Sequence, residues 1–324
     1  MKIAVIGPGA IGSVFGALLA EAGHEVNFLA GRAAYPEAIR KNGGLLLEQD
    51  GRNRSVPCRM ETDPACLRGC KLVIVLVKAI RTEKALLPTR LFIDGEATVL
   101  SLQNGLGTAE ILERCLPGQP VLAGVTTVGA ILLAPGHVRL AGIGPSVLGP
   151  WSGAAMPRAE ETAGLLRSAG LPAQAVSDPR AALWEKLMIN VGSNALSALT
   201  GMYSGESRDS APIRAVAGQA IAEAKAVAES LGIPIREDIF EHFVRVGKRV
   251  ARNRTSMAQD IEAGRPTEID YINGAICRLG RELAVPTPVN DTLTNLIKGI
   301  EGRYLAKKRE SGINQEEDCC IKKQ

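Results

Sequence analysis

The chain has 324 residues, 46% of them hydrophobic and 22% charged, with a formal net charge of +4. That length admits two domains with at least one large core, and so small a charge, with no basic run interleaved with aromatics, argues against a nucleic-acid surface. No apolar run approaches the roughly 20 residues of a membrane span. A buried strand expected from Lys2 leaves no room for a signal peptide. Seven scattered cysteines fit a reducing, cytoplasmic setting better than a disulfide framework. Cys66 and Cys70 lack a second ligand pair, and His24, His137 and His242 show no metal-binding spacing, so no metal site is expected.

The first element runs Lys2-Ile-Ala-Val-Ile-Gly7-Pro8-Gly9-Ala10-Ile11-Gly12, from a buried strand straight into a helix expected over residues 13–22. Gly23 ends that helix, and a second strand follows over 25–29. A lone GxGxxG is weak, but within a βαβ unit of about 30 residues it predicts dinucleotide binding. Gly7 would permit the tight turn, Gly9 the approach of a pyrophosphate and Gly12 close helix–strand packing, with helix amides holding the phosphate charge. After the second strand the chain reads Phe28-Leu-Ala-Gly-Arg32, with no carboxylate before Glu37. Arg can pair with a 2′-phosphate where a carboxylate would repel it, which favours NADPH over NADH; the competing explanation is a plain surface Arg.

Two near-continuous apolar runs, 71–77 and 97–102, read as strands covered on both faces. The first delivers Lys78 and the second Gln103-Asn104-Gly105-Leu106-Gly107, where ligands collect beyond the carboxyl ends of such strands. The competing explanations are that Lys78 is a solvated loop residue and Asn104 turn chemistry before Gly105. Short strands at 136–142 and 146–149 suggest hairpins extending the sheet. A helix over 157–169 and a strand over 173–176 then complete a first, Rossmann-type doubly wound domain at residues 1–177.

Beyond residue 178 helical periodicity takes over, at 180–199, 212–231, 237–252 and 267–283, giving an all-helical second domain over 178–303. Lys186, Asn190 and Asn194 recur every four residues, which on one continuous helix forms a single stripe. Asn is a poor helix former, so this looks like the wall of a polar pocket rather than an incidental polar face. A second polar cluster spans residues 253–274. There Thr267 with Asp270 resembles a capping box that would put Glu268 in a first helical turn, where dipole stabilisation alone could explain it; Ser256 could be only an N-cap. The tail, 304–324, is charged, lacks an apolar face and is expected to be disordered; its Cys319-Cys320 pair is misplaced for a prenylation box.

Together these residues resemble the 2-dehydropantoate 2-reductase (ketopantoate reductase) family. The resemblance is carried by the glycine fingerprint at 7–12, Leu76-Val-Lys78-Ala, Gln103-Asn-Gly-Leu-Gly107, and Trp184-Glu-Lys186-Leu with Asn190 and Asn194. Ser256-Met-Ala-Gln-Asp260 and Arg265-Pro-Thr-Glu268-Ile-Asp-Tyr-Ile-Asn-Gly274 complete it, all in family order over about residues 1–300. It implies NADPH-dependent reduction of ketopantoate to pantoate, on the way to pantothenate and coenzyme A, with the active site in the cleft between the two domains. Lys186 matches the catalytic lysine and Glu268 a carboxylate at the cofactor–substrate junction. Asn104, Asn190, Asn194, Asn253 and Ser256 match substrate-facing positions. Gly7, Pro8, Gly9, Ala10, Ile11, Gly12, Arg32, Lys78, Asn104 and Ala130 are implied cofactor contacts. Where some members carry a further substrate-binding Asn, this chain has Ser204, which makes a different branched 2-oxo acid an alternative substrate. A non-catalytic NADP-binding sensor is the second alternative. The implied partner is a small 2-oxo acid, with neither nucleic acid nor membrane, and the assembly is left open up to a homodimer.

Overall fold

Apolar runs that need cover on both faces become the central strands of a sheet flanked by helices. In chain order the first half forms β1 (Lys2–Ile6), α1 (Ala10–Glu21), β2 (Glu25–Leu29), α2 (Ala34–Asn42), β3 (Leu45–Gln49), β4 (Arg52–Val56) and β5 (Arg59–Glu61). It continues with β6 (Leu72–Val75), α3 (Thr82–Leu86), β7 (Thr98–Ser101), α4 (Thr108–Cys115), β8 (Val121–Thr126), β9 (Gly129–Ala134) and β10 (His137–Gly142). β11 (Ser146–Ser152), α5 (Met156–Ser168) and β12 (Ala173–Ala175) close it. The computed structural model describes residues 1–249 and 251–310. It divides the chain into two units, one of Met1–Gln103 with Thr108–Pro179, the other of Asn104–Gly107 with the described residues from Arg180 onward.

The first unit holds an eight-stranded sheet in the order β12-β11-β8-β7-β6-β1-β2-β5. From β5 to β8 every neighbouring pair is parallel, and β11 runs antiparallel to β8. The chain leaves β1 first toward β2 and later returns on the other side as β6. That makes the carboxyl ends of β1 and β6 the switch point at which such sheets bind ligands. Ile3, Val5, Phe15, Phe28, Ile74 and Leu100 are buried in the core of this unit.

The hairpin expected to extend this sheet does something else. β9 and β10 pair antiparallel, and β10 then lies parallel to β3, giving a separate four-stranded sheet in the order β4-β3-β10-β9. Of the two expected hairpin strands β11 alone joins the main sheet, where β12, at the expected strand near 173–176, pairs with it. The strands β3 and β4, which create the new partner edge, were not anticipated. Their turn, Asp50-Gly51, has positive φ at both residues (51° and 74°), which is the tight hairpin geometry Asp-Gly favours.

The second unit is helical: α6 (Arg180–Val191), α7 (Asn194–Thr200), α8 (Ser204–Asp209), α9 (Ala211–Ser230), α10 (Ile239–Arg249), α11 (Ser256–Glu262), α12 (Asn273–Glu282) and α13 (Pro288–Glu310). Trp184, Leu187, Met188 and Val191 on α6 share a core with Ile221 on α9 and Phe243 on α10. The expected continuous helix over 180–199 is broken at Gly192-Ser193. A Cβ at Gly192 would come within 2.7 Å of Ile221 Cδ1 and 3.0 Å of Phe243, so glycine lets α6 end against α9 and α10. Ser193 Oγ donates back to the Ile189 carbonyl at 2.6 Å, a local bond that competes with helix continuation. The helix expected to reach residue 252 is described to Arg249, with Ala251-Arg252 in a turn. α13 was not anticipated, and it carries the chain as helix through Arg303 to Glu310 where disorder was expected. Residues 311–324, including Cys319 and Cys320, lie outside the described residues.

Candidate active site

Most of the residues expected to contact a cofactor lie at the carboxyl ends of the parallel strands. Gly7 follows β1 with φ of 98°, and a Cβ there would lie 2.6 Å from Val77 Cγ1 at the end of β6. A Cβ at Gly12 would overlap the Gly7 carbonyl oxygen, which is the close packing expected of it. Gly9 caps α1, which starts at Ala10, three residues earlier than expected, and a Cβ at Gly9 meets no protein atom within 4 Å. Packing therefore does not demand glycine at position 9. A backbone that must lie close to a bound pyrophosphate does, so the loop fits a dinucleotide. Pro8 accepts a hydrogen bond from Ser13 Oγ at 3.1 Å, tying the loop to the first turn of α1, which Ala10 and Ile11 open.

Arg32 stands just beyond β2, its guanidinium 5.3 Å from the Tyr35 ring and its Nη2 donating to the Tyr35 hydroxyl at 3.4 Å. The next acid, Glu37, lies within the first turn of α2. Lys78 is half-buried beyond β6. Ala130 sits on β9, which packs on α1, and so belongs to the second sheet rather than to the strand ends. Gln103 gains a role not foreseen for it: its Nε2 donates to the Val77 carbonyl at 2.6 Å and to Thr82 Oγ1 at 2.8 Å, while its Oε1 accepts from Ser101. This buried amide stitches the ends of β6 and β7 together.

The residues expected to face the substrate all belong to the second unit. Lys186 is half-buried on α6. Desolvation pushes its ammonium from the ordinary 10.5 down to about 8, against the attraction of the Glu268 carboxylate. Asn190 follows one turn later, but Asn194 opens α7, so the single stripe reduces to Lys186 and Asn190. Asn194 is buried, its Oδ1 accepting from Ser193 Oγ at 3.3 Å, and α7 packs on α11, which Ser256 opens. The N-cap of α11 is Thr255, whose Oγ1 accepts from Ala258 N, which frees Ser256 from that structural duty. Ser204 opens α8, and its amide donates to the Asn253 carbonyl at 3.0 Å, bringing these two positions together.

Glu268 is 7% exposed and lies in no first turn of an α-helix. It precedes a short 3-10 turn, Ile269–Tyr271, and α12 starts only at Asn273. In place of the expected capping box, α13 supplies the partners: Asp270 pairs with Lys298 at 2.6 Å, and the Thr267 amide donates to Glu301 at 2.7 Å. Tyr271 is a further residue the sequence did not flag. Its amide donates to the Glu268 carbonyl at 3.0 Å, and its own carbonyl accepts from Leu106 at 2.8 Å. A Cβ at Gly105 would overlap that carbonyl oxygen. Asn104 is thereby fastened to the same segment as Glu268. Arg208, 3% exposed, was missed too: it donates to the carbonyls of Phe243 and Ser204 at 2.9 Å each, stacked 4.3 Å above the Phe243 ring, and so fixes the start of α8.

The family described as ketopantoate reductase PanE/ApbA matches residues 3–153, and its C-terminal counterpart matches residues 178–301. A 2-dehydropantoate 2-reductase of Halobacterium salinarum is 35% identical, covering 92% of this chain and 98% of its own. One of Archaeoglobus fulgidus is also 35% identical, covering 93% and 98%. Among solved structures, a PanE/ApbA family ketopantoate reductase from Ralstonia eutropha superposes with a TM-score of 0.87 at 36% identity, covering 94% of this chain and all of that one. D-mandelate dehydrogenase in ternary complex with NADH and anilino(oxo)acetate gives a TM-score of 0.89 at 29% identity, with the same coverage. Motifs, sheet order, helical second unit and relatives over nearly the whole length agree, and the chain belongs to the 2-dehydropantoate 2-reductase family.

Proposed function

We propose that the protein reduces ketopantoate to pantoate with NADPH, as a step toward pantothenate and coenzyme A, and that Lys186 is the general acid. One observation carries most of the weight: a half-buried lysine held near 8 faces a buried carboxylate in a unit that gathers uncharged Asn and Ser donors. The loop from Gly7 to Gly12, with Arg32 toward a 2′-phosphate, would hold the nicotinamide dinucleotide, whose chemistry when bound would be that of a hydride donor. Lys186 does two things. Its positive charge stabilises the C2 carbonyl oxygen as electrons move onto it, and its proton neutralises the product alkoxide. At pH 7 a group near 8 is protonated by about ten to one, so it is charged and still able to give up its proton. Asn104, Asn190, Asn194, Asn253, Ser204 and Ser256 hold carboxylate and hydroxyl by hydrogen bonds without adding a second charge beside Lys186.

The test is oxidation of NADPH and NADH with ketopantoate and a panel of 2-oxo acids, in parallel. Turnover with ketopantoate and NADPH well above every other pairing is the expected result. A second reading has its own support: the likeness to D-mandelate dehydrogenase, together with Ser204 at a family Asn position, favours another branched or aromatic 2-oxo acid. Preference for such an acid in the panel would establish that reading in place of the first.

A further inference from the structure

Resting on the reading of Glu268 as part of the active site, we infer that Glu301 on α13 is a positioning residue that fixes Glu268 through the backbone of Thr267. The contacts form an antiparallel ladder between one side of α13 and the segment that leads through Glu268. Lys298 Nζ meets Asp270 at 2.6 Å, Glu301 Oε1 accepts from the Thr267 amide at 2.7 Å, and the Tyr304 hydroxyl donates to the Arg265 carbonyl at 2.6 Å. Positions 298, 301 and 304 recur every three residues along the helix, while 270, 267 and 265 run the other way, so neither side can slip without breaking all three.

The rungs differ in strength. Lys298 and Asp270 are each about half exposed (48% and 53%), where solvent weakens an ion pair. The Tyr304 bond also lies at the surface. Thr267, by contrast, is 3% exposed, and its amide is held by a carboxylate, a charge-assisted bond whose loss strands a buried N–H. Glu268 is the next residue. On its other side the Ile269 amide donates to Thr267 Oγ1 at 3.2 Å and the Tyr271 amide to the Glu268 carbonyl at 3.0 Å. The backbone on both sides of Glu268 is thus tied down, and Glu301 supplies the tie nearest to it. Glu301 makes its contact with backbone and acts on the site only through Glu268.

The experiment is a double-mutant cycle in the full chain. Glu301→Ala is expected to lower kcat about tenfold or more, since a small displacement of a reacting group is costly, with the cofactor KM changed less than about threefold. Glu301→Gln, which keeps an oxygen able to accept from Thr267, is expected to restore kcat to within about threefold of the parent. In a Glu268→Ala background, Glu301→Ala should remove nothing more, because both changes act through one group. Losses that add in the cycle, or an unaltered kcat in Glu301→Ala, overturn the inference. Hydrogen exchange of the unmodified protein gives a readout that needs neither turnover nor a stable variant: the Thr267 amide should be protected like core amides, and exchange as fast as at a frayed helix end overturns the clamp. Should no 2-oxo acid be turned over, the proposed function fails, and exchange over residues 265–271 still decides. Faster exchange there in Glu301→Ala sustains the clamp, and unchanged exchange overturns it.

Discussion

The glycine loop and the polar site around Lys186 are built from similar numbers of residues by different means. The loop is contiguous in sequence, and its shape follows from backbone sterics: Gly7 with positive φ against Val77, and Gly12 under the Gly7 carbonyl. The proposed Lys186 site would draw on α6, α7, α8, α11 and the stretch before α12, segments held by side-chain bonds such as those of Arg208, Thr255 and Glu301. Contiguous sites announce themselves by spacing. Assembled sites are set by partners far along the chain.

The sharpest way to break that comparison is at the chemistry. Lys186→Ala should lower kcat at least ~100-fold while leaving NADPH binding nearly intact, as expected when an acid is lost but the loop is untouched. In the unmodified protein turnover should fall as pH rises through about 8, where Lys186 loses its proton, and not near the ordinary lysine value. A rate that holds to pH 10 would remove Lys186 as the acid. Within the loop, Gly12→Ala and Gly9→Ala separate packing from binding. The Cβ at 12 overlaps backbone and should cost about 1–3 kcal/mol in chemical denaturation, whereas the Cβ at 9 meets open space and should spare stability yet weaken NADPH binding. Equal stability losses in the two variants would show that position 9 is a packing site. Arg32→Ala is expected to raise the NADPH KM about tenfold and that for NADH far less, the difference being one charge-assisted contact. Equal effects on both cofactors would dismiss the 2′-phosphate role. The smallest effect belongs to Ser204→Asn, which should shift preference among 2-oxo acids by a few-fold, about the value of one hydrogen bond; an unchanged panel would show that position 204 does not read the substrate.

The sheet and the loop were legible because their signals are local. Buried parallel strands read as apolar runs, and the βαβ spacing around residues 7–12 needs no distant information. Four features were not legible in this way. The strand β4 carries Arg52, Asn53 and Arg54 rather than an apolar run, and β3 has only Leu45-Leu46-Leu47 before Glu48, so the Asp50-Gly51 turn was the main mark of the pair. The break at Gly192-Ser193 depends on Ile221 and Phe243, which lie 29 and 51 positions further on. The geometry around Glu268 depends on α13, whose charged sequence from Arg303 onward concealed its helical period and made its end look like a tail. Arg208 resembles any surface arginine until Gly247 is seen to leave room for it: a Cβ there would overlap the Arg208 side chain. Residue identity found the candidates, and tertiary partners set where they stand.

The small second sheet has a consequence for how the chain reaches its native state. Its two halves, β3–β4 and β9–β10, are local hairpins that close over short turns. They are joined only by the parallel pairing of β3 with β10, where Arg139 meets Glu48 across 91 positions of sequence. Loop closure over such a span is slow compared with hairpin formation. During synthesis the edge of β3 must therefore wait, unpaired, while β6, β7 and β8 are made. The two basic side chains of β4, Arg52 and Arg54, sit on the outer strand of the half that waits, where charge discourages pairing with a stranger.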